Sequence, residues 1–365
     1  MLKLLLLLLS STLLLSGCYN NYGIDDLAMI NALGFDLSEE EENYLNITAV
    51  YPHAMEDELV YEILQATGNS TKDVAIEIMG QTSLEIVNGQ LEIMLFGEEL
   101  AEQGIFPILE TSLRDPSFGS RVVLAVAEES AKGILETKLE GQPNIGLYLE
   151  DMMEKFDKTF IFPSVNVFQF TRSYYDDGID PFLPIIENID KHLSFKGFAL
   201  FNEDKLVTML PKERAVFLFF LSENFRKGLL DIDLKKGDPS QHIHLAYVQN
   251  NHKVKVKRKE DNSFSIDISI DFTGSLEEYT GDLKIEIPAD QKKLEETIEE
   301  FVNEETKNLV AFLQENNVDN IGLGQYVRSH LSYEEWTKLN WDEVYPEIEV
   351  SIRSNVQLGN LGKSY

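Results

Sequence analysis

Cysteine is almost absent from this 365-residue chain, which has only Cys18. A disulfide needs two thiols and a thiolate zinc site needs several, so the rest of the chain can form neither. Basic residues are also scarce: 31 Lys and Arg face 63 Asp and Glu, giving a formal charge of −32 at pH 7. This charge favours solubility and repels both nucleic acid and anionic lipid headgroups. Attachment to a membrane would therefore have to be covalent or depend on a protein partner.

The motifs of common enzyme classes are missing as well. The sequence contains no Gly-x-Ser-x-Gly, no Gly-x-x-x-x-Gly-Lys and no His-Glu-x-x-His pattern. The run Gly322-Leu323-Gly324 is too short for a dinucleotide-binding fingerprint and is typical of a boundary between helices. We therefore predict neither catalytic residues nor a cofactor.

Two short runs deserve comparison with metal sites. His242 and His244 lie two residues apart, with His252 nearby, so on a strand the first two could share a face as paired metal ligands do. Surface histidines on a hairpin are the simpler interpretation. The run Asp176 to Asp180 resembles a calcium loop but lacks the alternating oxygen ligands and the distal Glu of an EF-hand, which favours a tight turn. We predict no metal site.

No apolar run is long enough to span a bilayer. The longest runs from Leu4 to Leu15 and covers 12 residues, whereas a membrane helix needs about 20. It follows Lys3 and fits the hydrophobic region of a secretory signal peptide. Leu15-Ser16-Gly17-Cys18 then forms a lipobox, in which small residues precede a cysteine that receives a diacylglycerol. We predict a signal peptide over residues 1–17, lipidation of Cys18, and a lipidated tether over residues 18–23.

The first half of the mature chain alternates strand-like and helix-like patterns, which predicts an N-terminal α/β domain over residues 24–188. A turn over Ser38–Asn43 precedes the first of these strands. The strands are expected at Tyr44–Tyr51, Leu91–Phe96 and Arg121–Ala127. The helices are expected after Ser70, over Glu98–Gln103, from Pro107 with Ile108, Leu109 and Leu113 on its apolar face, and over Ser130–Leu139.

The C-terminal α/β region is predicted over residues 194–365, after a Gly- and Pro-rich stretch from Asp176 to Pro184. The pattern leaves open one domain or two subdomains, 194–250 and 251–365. A hairpin around residues 202–204, a helix over 213–221 and a hairpin with strands at 253–259 and 264–272 are expected, with a final strand at 348–352. From Asp290 the period changes to that of a long amphipathic helix packed on the neighbouring sheet, whose apolar stripe is Leu294, Ile298, Phe301, Val302, Leu309 and Leu313.

Together these patterns predict an α+β (mixed α/β) fold. It would consist of several small mixed-sheet domains flanked by helices, with the long amphipathic helix near the C-terminus.

Several motifs, in order, resemble those of the Ger(x)C lipoproteins. The lipidated Gly17-Cys18 is followed by Leu27-Ala28 and by Leu33-Gly34-Phe35-Asp36, like the family's strand that ends in Gly-Ile-Asp. Tyr19-Asn20 replaces the family's usual Trp-Asp. The remaining matches are Gln90–Gly97, Glu98–Ala101, Gly104-Ile105, Leu113–Pro116, Phe195–Phe201 with Asp204–Val207, Gly322–Gly324 and Trp341–Pro346.

This resemblance implies a non-enzymatic C subunit of a GerA-type nutrient germinant receptor. Such a subunit would be anchored through Cys18 to the outer face of the cell membrane, at the inner membrane of the spore, and would assemble with membrane A and B subunits. A small-molecule germinant is a further ligand to which no residue can be assigned. The alternative function is a solute-binding lipoprotein of a transporter, which usually has two similar lobes around a cleft.

Overall fold

The computed structural model describes residues 23–38, 44–55, 58–139, 145–159, 163–224, 226–234 and 241–359. The leader, Cys18 and most of the predicted tether lie outside the described residues, as does most of the predicted turn at 38–43.

The largest element is a nine-stranded sheet in the order β11-β10-β9-β7-β6-β2-β3-β4, with β8 paired to β7 outside this order. Its strands are β2 (Ala32–Leu37), β3 (Leu45–Met55), β4 (Glu58–Gly68), β6 (Ile93–Gly97), β7 (Val123–Ala127), β8 (Val165–Asn166), β9 (Phe182–Ile189), β10 (His192–Asn202) and β11 (Lys205–Pro211). The central strands β2, β6, β7 and β9 run parallel, and antiparallel pairs extend the sheet on both sides. A separate parallel pair is formed by β1 (Leu27–Met29) and β5 (Glu85–Val87).

Helices cover both faces of this sheet, as expected where central parallel strands are continuous apolar runs. One face packs against α1 (Thr71–Met79), α2 (Glu98–Gln103), α3 (Phe106–Leu113) and α6 (Val167–Tyr175). The other face packs against α4 (Ala131–Leu135) and α5 (Ile145–Thr159). The sheet is therefore the middle of three layers, with a separate apolar core on each side.

The C-terminal part is built on a four-stranded sheet in the order β12-β13-β14-β15. Its strands are β12 (Arg226–Leu234), β13 (Gln241–Arg258), β14 (Phe264–Tyr279) and β15 (Glu349–Gly359), and β15 runs parallel to β14. Its helices are α7 (Lys212–Ser222), α8 (Pro288–Glu315), α9 (Leu323–Arg328), α10 (Tyr333–Lys338) and α11 (Trp341–Val344). The core of this part also contains Phe198 and Leu200 of β10, so the two sheets share packed side chains.

The predicted long helix is α8, which has 28 residues and begins at Pro288. Proline suits the first turn of a helix because that turn does not need its N–H. The predicted apolar stripe packs inward, and its residues are buried except for Phe301, which is half-buried and packs against the core with its ring 6.1 Å from that of Phe217. Thr306 is buried within the stripe because its hydroxyl donates to the carbonyl of Val302. The prediction that α8 packs on the neighbouring sheet is confirmed.

Several local predictions are confirmed and others are wrong: the helix expected over Ser130–Leu139 spans only Ala131–Leu135, with Ser130 as its N-cap. Ser70 caps α1, accepting a hydrogen bond from the N–H of Asp73, and α2 spans the predicted residues. Leu113, however, does not belong to the buried face of α3, since it is 43% exposed. Ser112 lies on the buried face instead. Its hydroxyl donates to the carbonyl of Ile108, so its burial leaves no unsatisfied hydrogen-bond donor. The α+β class with mixed sheets is also confirmed.

The sheet runs through the region predicted to separate two domains. β9 ends at Ile189 and β10 begins at His192, and the two strands are hydrogen bonded along their length. Strands from both sides of residues 188–194 thus share one sheet. The division into an N-terminal domain and a C-terminal region, and the further division near residue 250, remain predictions.

Candidate functional site

The histidines of the candidate metal site are brought to one strand but pair with carboxylates of a neighbouring strand. His242 of β13 contacts Asp233 of β12, and His244 contacts Asp231, in the register of the two strands. His252 lies apart from them, with its Nε2 3.1 Å from the hydroxyl of Tyr326, and burial lowers its pKa. Within the described ranges, no three His, Cys, Asp or Glu side chains are placed to hold a metal ion.

The predicted tight turn at Asp176–Asp180 is the more informative region, because it docks onto α9. The guanidinium of Arg328 donates to the Asp176 carboxylate at 2.6 Å and to the Asp177 carbonyl at 2.7 Å. The side-chain amide of Gln325 also donates to Asp176, at 2.6 Å. The turn therefore joins the start of β9 to the C-terminal part of the chain.

Beneath these contacts lie two carboxyl groups, that of Asp180, which is partly buried, and that of Asp319, which is buried. The Asp180 carboxylate accepts from the backbone N–H of Glu203 at 3.1 Å and of Asp319 at 2.7 Å. Asp319, which is 1% exposed, accepts from the backbone N–H groups of Leu323 at 2.8 Å and Gly324 at 2.7 Å. It also accepts from the indole Nε1 of Trp341, at 3.1 Å. We call Asp180, Asp319 and their partners the acid junction.

The neighbouring Asn320 extends the acid junction to the main sheet. Its side-chain amide donates to the carbonyl of Pro181 at 2.7 Å and lies 3.3 Å from the carbonyls of Asp180 and Phe201. Glu203 and Asn202, at the β10–β11 turn, make further contacts with Asp180 and with the carbonyl of Asn317. Two loops of the main sheet are thus hydrogen bonded to the segment between α8 and α9.

Burial dominates the electrostatics of the acid junction. It raises the pKa of Asp180 to about 6, against the opposing effect of the Asp319 and Glu203 N–H donors. Burial also raises the pKa of Asp319 above its usual value, with the Gly324 and Leu323 donors acting in the opposite direction. Burial and then the two carboxyl groups raise the pKa of the buried Tyr345 hydroxyl. The two carboxyl groups thus join loops of the main sheet to the segment between α8 and α9 through hydrogen bonds.

We expect the acid junction to make stability depend on pH. Because the pKa of Asp180 is about 6 in the folded protein, the folded state binds more protons than the unfolded state between about pH 4 and 6. The free energy of unfolding should therefore fall as pH rises through this window, by at most about 3 kcal/mol from this group. Urea unfolding of the mature protein at several pH values should show a smaller fall for Asp180→Asn.

The exposed Asp282 offers a matched control, since Asp282→Asn should leave the slope of stability against pH unchanged. The pKa of Glu92 is also raised, to about 7, by burial and by Glu150, but that contribution is common to all three proteins. A wild-type slope in Asp180→Asn would contradict the assignment.

The motif Leu33–Asp36 makes similar contacts with backbone groups beside the main sheet. The Asp36 carboxylate accepts from the N–H groups of Ala131 and Lys132 at the start of α4, each at 2.8 Å. A Cβ at Gly97 would overlap that carboxylate, and a Cβ at Gly34 would lie 2.9 Å from the Leu135 side chain. The strand-ending Gly-x-Asp motif thus positions α4 on the sheet.

Neither Asp319 nor Asn320 is predicted from the sequence as a site residue. Their only local sign is that they are polar residues between the apolar Val318 and Ile321, directly before Gly322-Leu323-Gly324. The sequence predicts the turn at Asp176–Asp180 but not its docking partners, which lie more than a hundred residues away in the sequence.

Comparison with known proteins gives consistent matches along the chain. Residues 21–188 match the model described as the spore germination protein N-terminal domain, and residues 196–362 match the model described as spore germination B3/GerAC-like, C-terminal. Spore germination protein GerQC of Bacillus cereus is 25% identical over 358 residues, 98% of each chain.

Two further proteins of Bacillus subtilis (strain 168) also match. The putative spore germination protein YfkR is 20% identical, covering 97% of this chain and 95% of that protein. Spore germination protein KC is 19% identical, covering 98% and 95%. The crystal structure of the GerBC protein is similar with a TM-score of 0.58 at 16% identity, covering 90% of this chain and 97% of that one. This last likeness shows that the fold is shared.

Proposed function

Because this chain belongs to the Ger(x)C family of germinant-receptor C subunits, we propose that it is a lipid-anchored subunit required for spore germination in response to nutrients. The consecutive match of both halves of the chain to the two germination-protein models carries this proposal. The similarity over nearly the whole length of GerQC supports the same role.

We propose that Cys18 carries the anchor. Two acyl chains on one cysteine suffice for stable attachment to a bilayer, whereas a single chain binds reversibly. A formal charge of −32 gives no electrostatic attraction to anionic lipids. Within the part of the chain that the structure describes, no helix combines the length and the apolar character needed to cross a membrane. A covalent lipid on Cys18 would hold the protein at the membrane without any electrostatic attraction to the lipids.

Assembly with membrane A and B subunits, at the outer face of the inner spore membrane, is the second part of the proposal. It is supported by the similarity to proteins named for spore germination. The carboxylates of the acid junction accept hydrogen bonds from backbone N–H groups, and this structural use supports a non-enzymatic role. The alternative of a solute-binding lipoprotein is less favoured, because the described residues form a nine-stranded and a four-stranded sheet rather than two similar lobes.

The test is Cys18→Ala in the organism that makes these spores. Without the thiol no thioether can form, so we expect metabolic labelling with a radioactive fatty acid to be lost from this protein. Germination of the variant spores in nutrient should be strongly slowed, because the acidic body is no longer held at the membrane.

Two further variants separate anchoring from other effects. Asn21→Ala changes the tether but keeps the thiol, so it should be labelled and should germinate normally. Cys18→Ala carried by a leader extended into an uncleaved membrane-spanning helix should regain germination without regaining the label. Full labelling of Cys18→Ala would refute the lipobox. Normal germination of spores in which the Cys18→Ala protein is not anchored would refute the need for an anchor.

A further inference from the structure

The nine-stranded sheet leaves an apolar cavity of about 230 Å³ between α1 and α3. Its floor is formed by four buried side chains of β2 and β3, and its walls include Ala75 and Ile78 of α1. The floor residues are Leu33, Phe35, Ile47 and Ala49. Close-packed interiors leave few voids larger than a water molecule. Since an apolar cavity of about 150 Å³ can bind benzene, this one has room for about nine heavy atoms.

The mouth of the cavity carries one charge of each sign. The Lys72 ammonium lies 3.6 Å from the Asp115 carboxylate, and these side chains are 68% and 28% exposed. Hydrogen bonds from Ser117 lower the pKa of Asp115, so its negative charge is kept at neutral pH. An exposed ion pair contributes only about 0–1 kcal/mol. Lys72 can therefore turn from Asp115 to a ligand at little cost, which opens the carboxylate oxygen that faces it to a cationic head group.

Apolar side chains also surround the mouth on the outer side of α1. Ile76 and Met79 both line the cavity and are 66% and 56% exposed. An apolar chamber with a few polar groups at one end is the usual composition of a small-molecule site. The charged pair offers a polar or charged head group of a ligand a partner at the mouth.

We propose that this cavity binds a small amphiphile, with its aliphatic body against Phe35 and Ile47 and its polar end at Lys72 and Asp115. This ligand site goes beyond the proposed receptor role and requires neither the lipid anchor nor a partner subunit.

The probes are 4-methylpentanoate, 4-methylpentylamine and 4-methylpentanol, which share one body and carry an anionic, a cationic and a neutral head. The mature protein would be titrated with each by calorimetry in phospholipid nanodiscs, and empty nanodiscs would supply the heat of partition into lipid. We expect saturable binding above this reference for at least the charged probes, at Kd values of about 1 mM or below.

Variants then separate the body of the ligand from its head. Ala75→Phe fills the cavity and should weaken every probe that binds by at least about tenfold. Lys72→Gln should weaken the carboxylate alone, and Asp115→Asn, which can still accept from Ser117, should weaken the amine alone. The exposed Glu77→Phe and Lys307→Gln are matched controls that should leave all affinities unchanged.

The proposal is overturned if no probe binds above the nanodisc reference, or if Ala75→Phe binds as wild type does. Should Ala75→Phe lower the unfolding midpoint, the smaller Ala75→Met makes the same comparison. Failure here would leave the receptor role intact, because that role is read from labelling and germination of Cys18→Ala spores.

Discussion

Asp319→Ala should lower the free energy of unfolding by about 4 kcal/mol, the largest effect we expect from a single side chain. The substitution leaves three donors without this acceptor: the buried backbone N–H groups of Leu323 and Gly324, and the partly buried Trp341 indole. Each unsatisfied buried group costs about 1–3 kcal/mol. Loss of these hydrogen bonds should also weaken the contact between the start of α9 and the turn at Asp176–Asp180.

Urea unfolding followed by tryptophan fluorescence suits this measurement. The chain has two Trp residues, and their rings, Trp336 and Trp341, lie 5.9 Å apart beside the acid junction. The fluorescence therefore reports on this region directly. We expect the unfolding midpoint of Asp319→Ala to fall well below that of wild type.

Two companions make the Asp319 result specific. Asp282→Ala removes an exposed carboxylate and should change stability by no more than about 0.5 kcal/mol. Asp319→Asn keeps one acceptor oxygen but turns an NH₂ group toward a donor. Its free energy of unfolding should therefore lie between those of wild type and Asp319→Ala. A change below about 1 kcal/mol in Asp319→Ala would mean that these hydrogen bonds add little to stability.

Elements with strong local patterns could be predicted from the sequence. The alternation from Phe264 to Phe272 places every second side chain in a core, and in the structure those residues are buried. The helical period after Asp290 is equally clear because one apolar stripe continues for several turns. In both cases the local pattern and the burial seen in the structure agree.

Other elements depend on contacts distant in sequence. β4 was not predicted, because Glu58–Gly68 mixes acidic and apolar residues and lies at an edge of the sheet, where burial is partial. The pairing of β9 with β7, which extends the main sheet beyond residue 180, is also a long-range contact. A local pattern can predict a strand but not its neighbour in the sheet.

The acid junction shows the same limit at the level of one side chain. Asp319 is one of 63 acidic residues, and the sequence gives nearly all of them the same appearance of a solvated surface. Its burial arises because the loops at Asp180 and Glu203 close over the segment after α8. Such closure is set by tertiary packing, which periodicity does not describe.

Gly178→Ala should be nearly as damaging as Asp319→Ala, for a steric reason. Gly178 has φ of +91°, and a Cβ there would lie 2.5 Å from the carbonyl carbon of Gly324 and 2.8 Å from the nitrogen of Gln325. Both neighbours are backbone atoms that cannot rotate away. We expect a loss of about 3 kcal/mol in the free energy of unfolding, from the left-handed conformation and the forced separation together.

A double-mutant cycle with the facing glycine tests this close approach. A Cβ at Gly324 would lie 2.5 Å from the Gly178 Cα, so Gly324→Ala should be similarly destabilising. Because either substitution already separates the two backbones, the double variant should lose less than the sum of the single losses. Gly89→Ala is the matched control, since a Cβ there meets nothing within 4 Å, and its stability should stay near that of wild type. Strictly additive losses at Gly178 and Gly324 would mean that the two glycines do not depend on one shared contact, and the docking of the turn onto α9 would then need another cause.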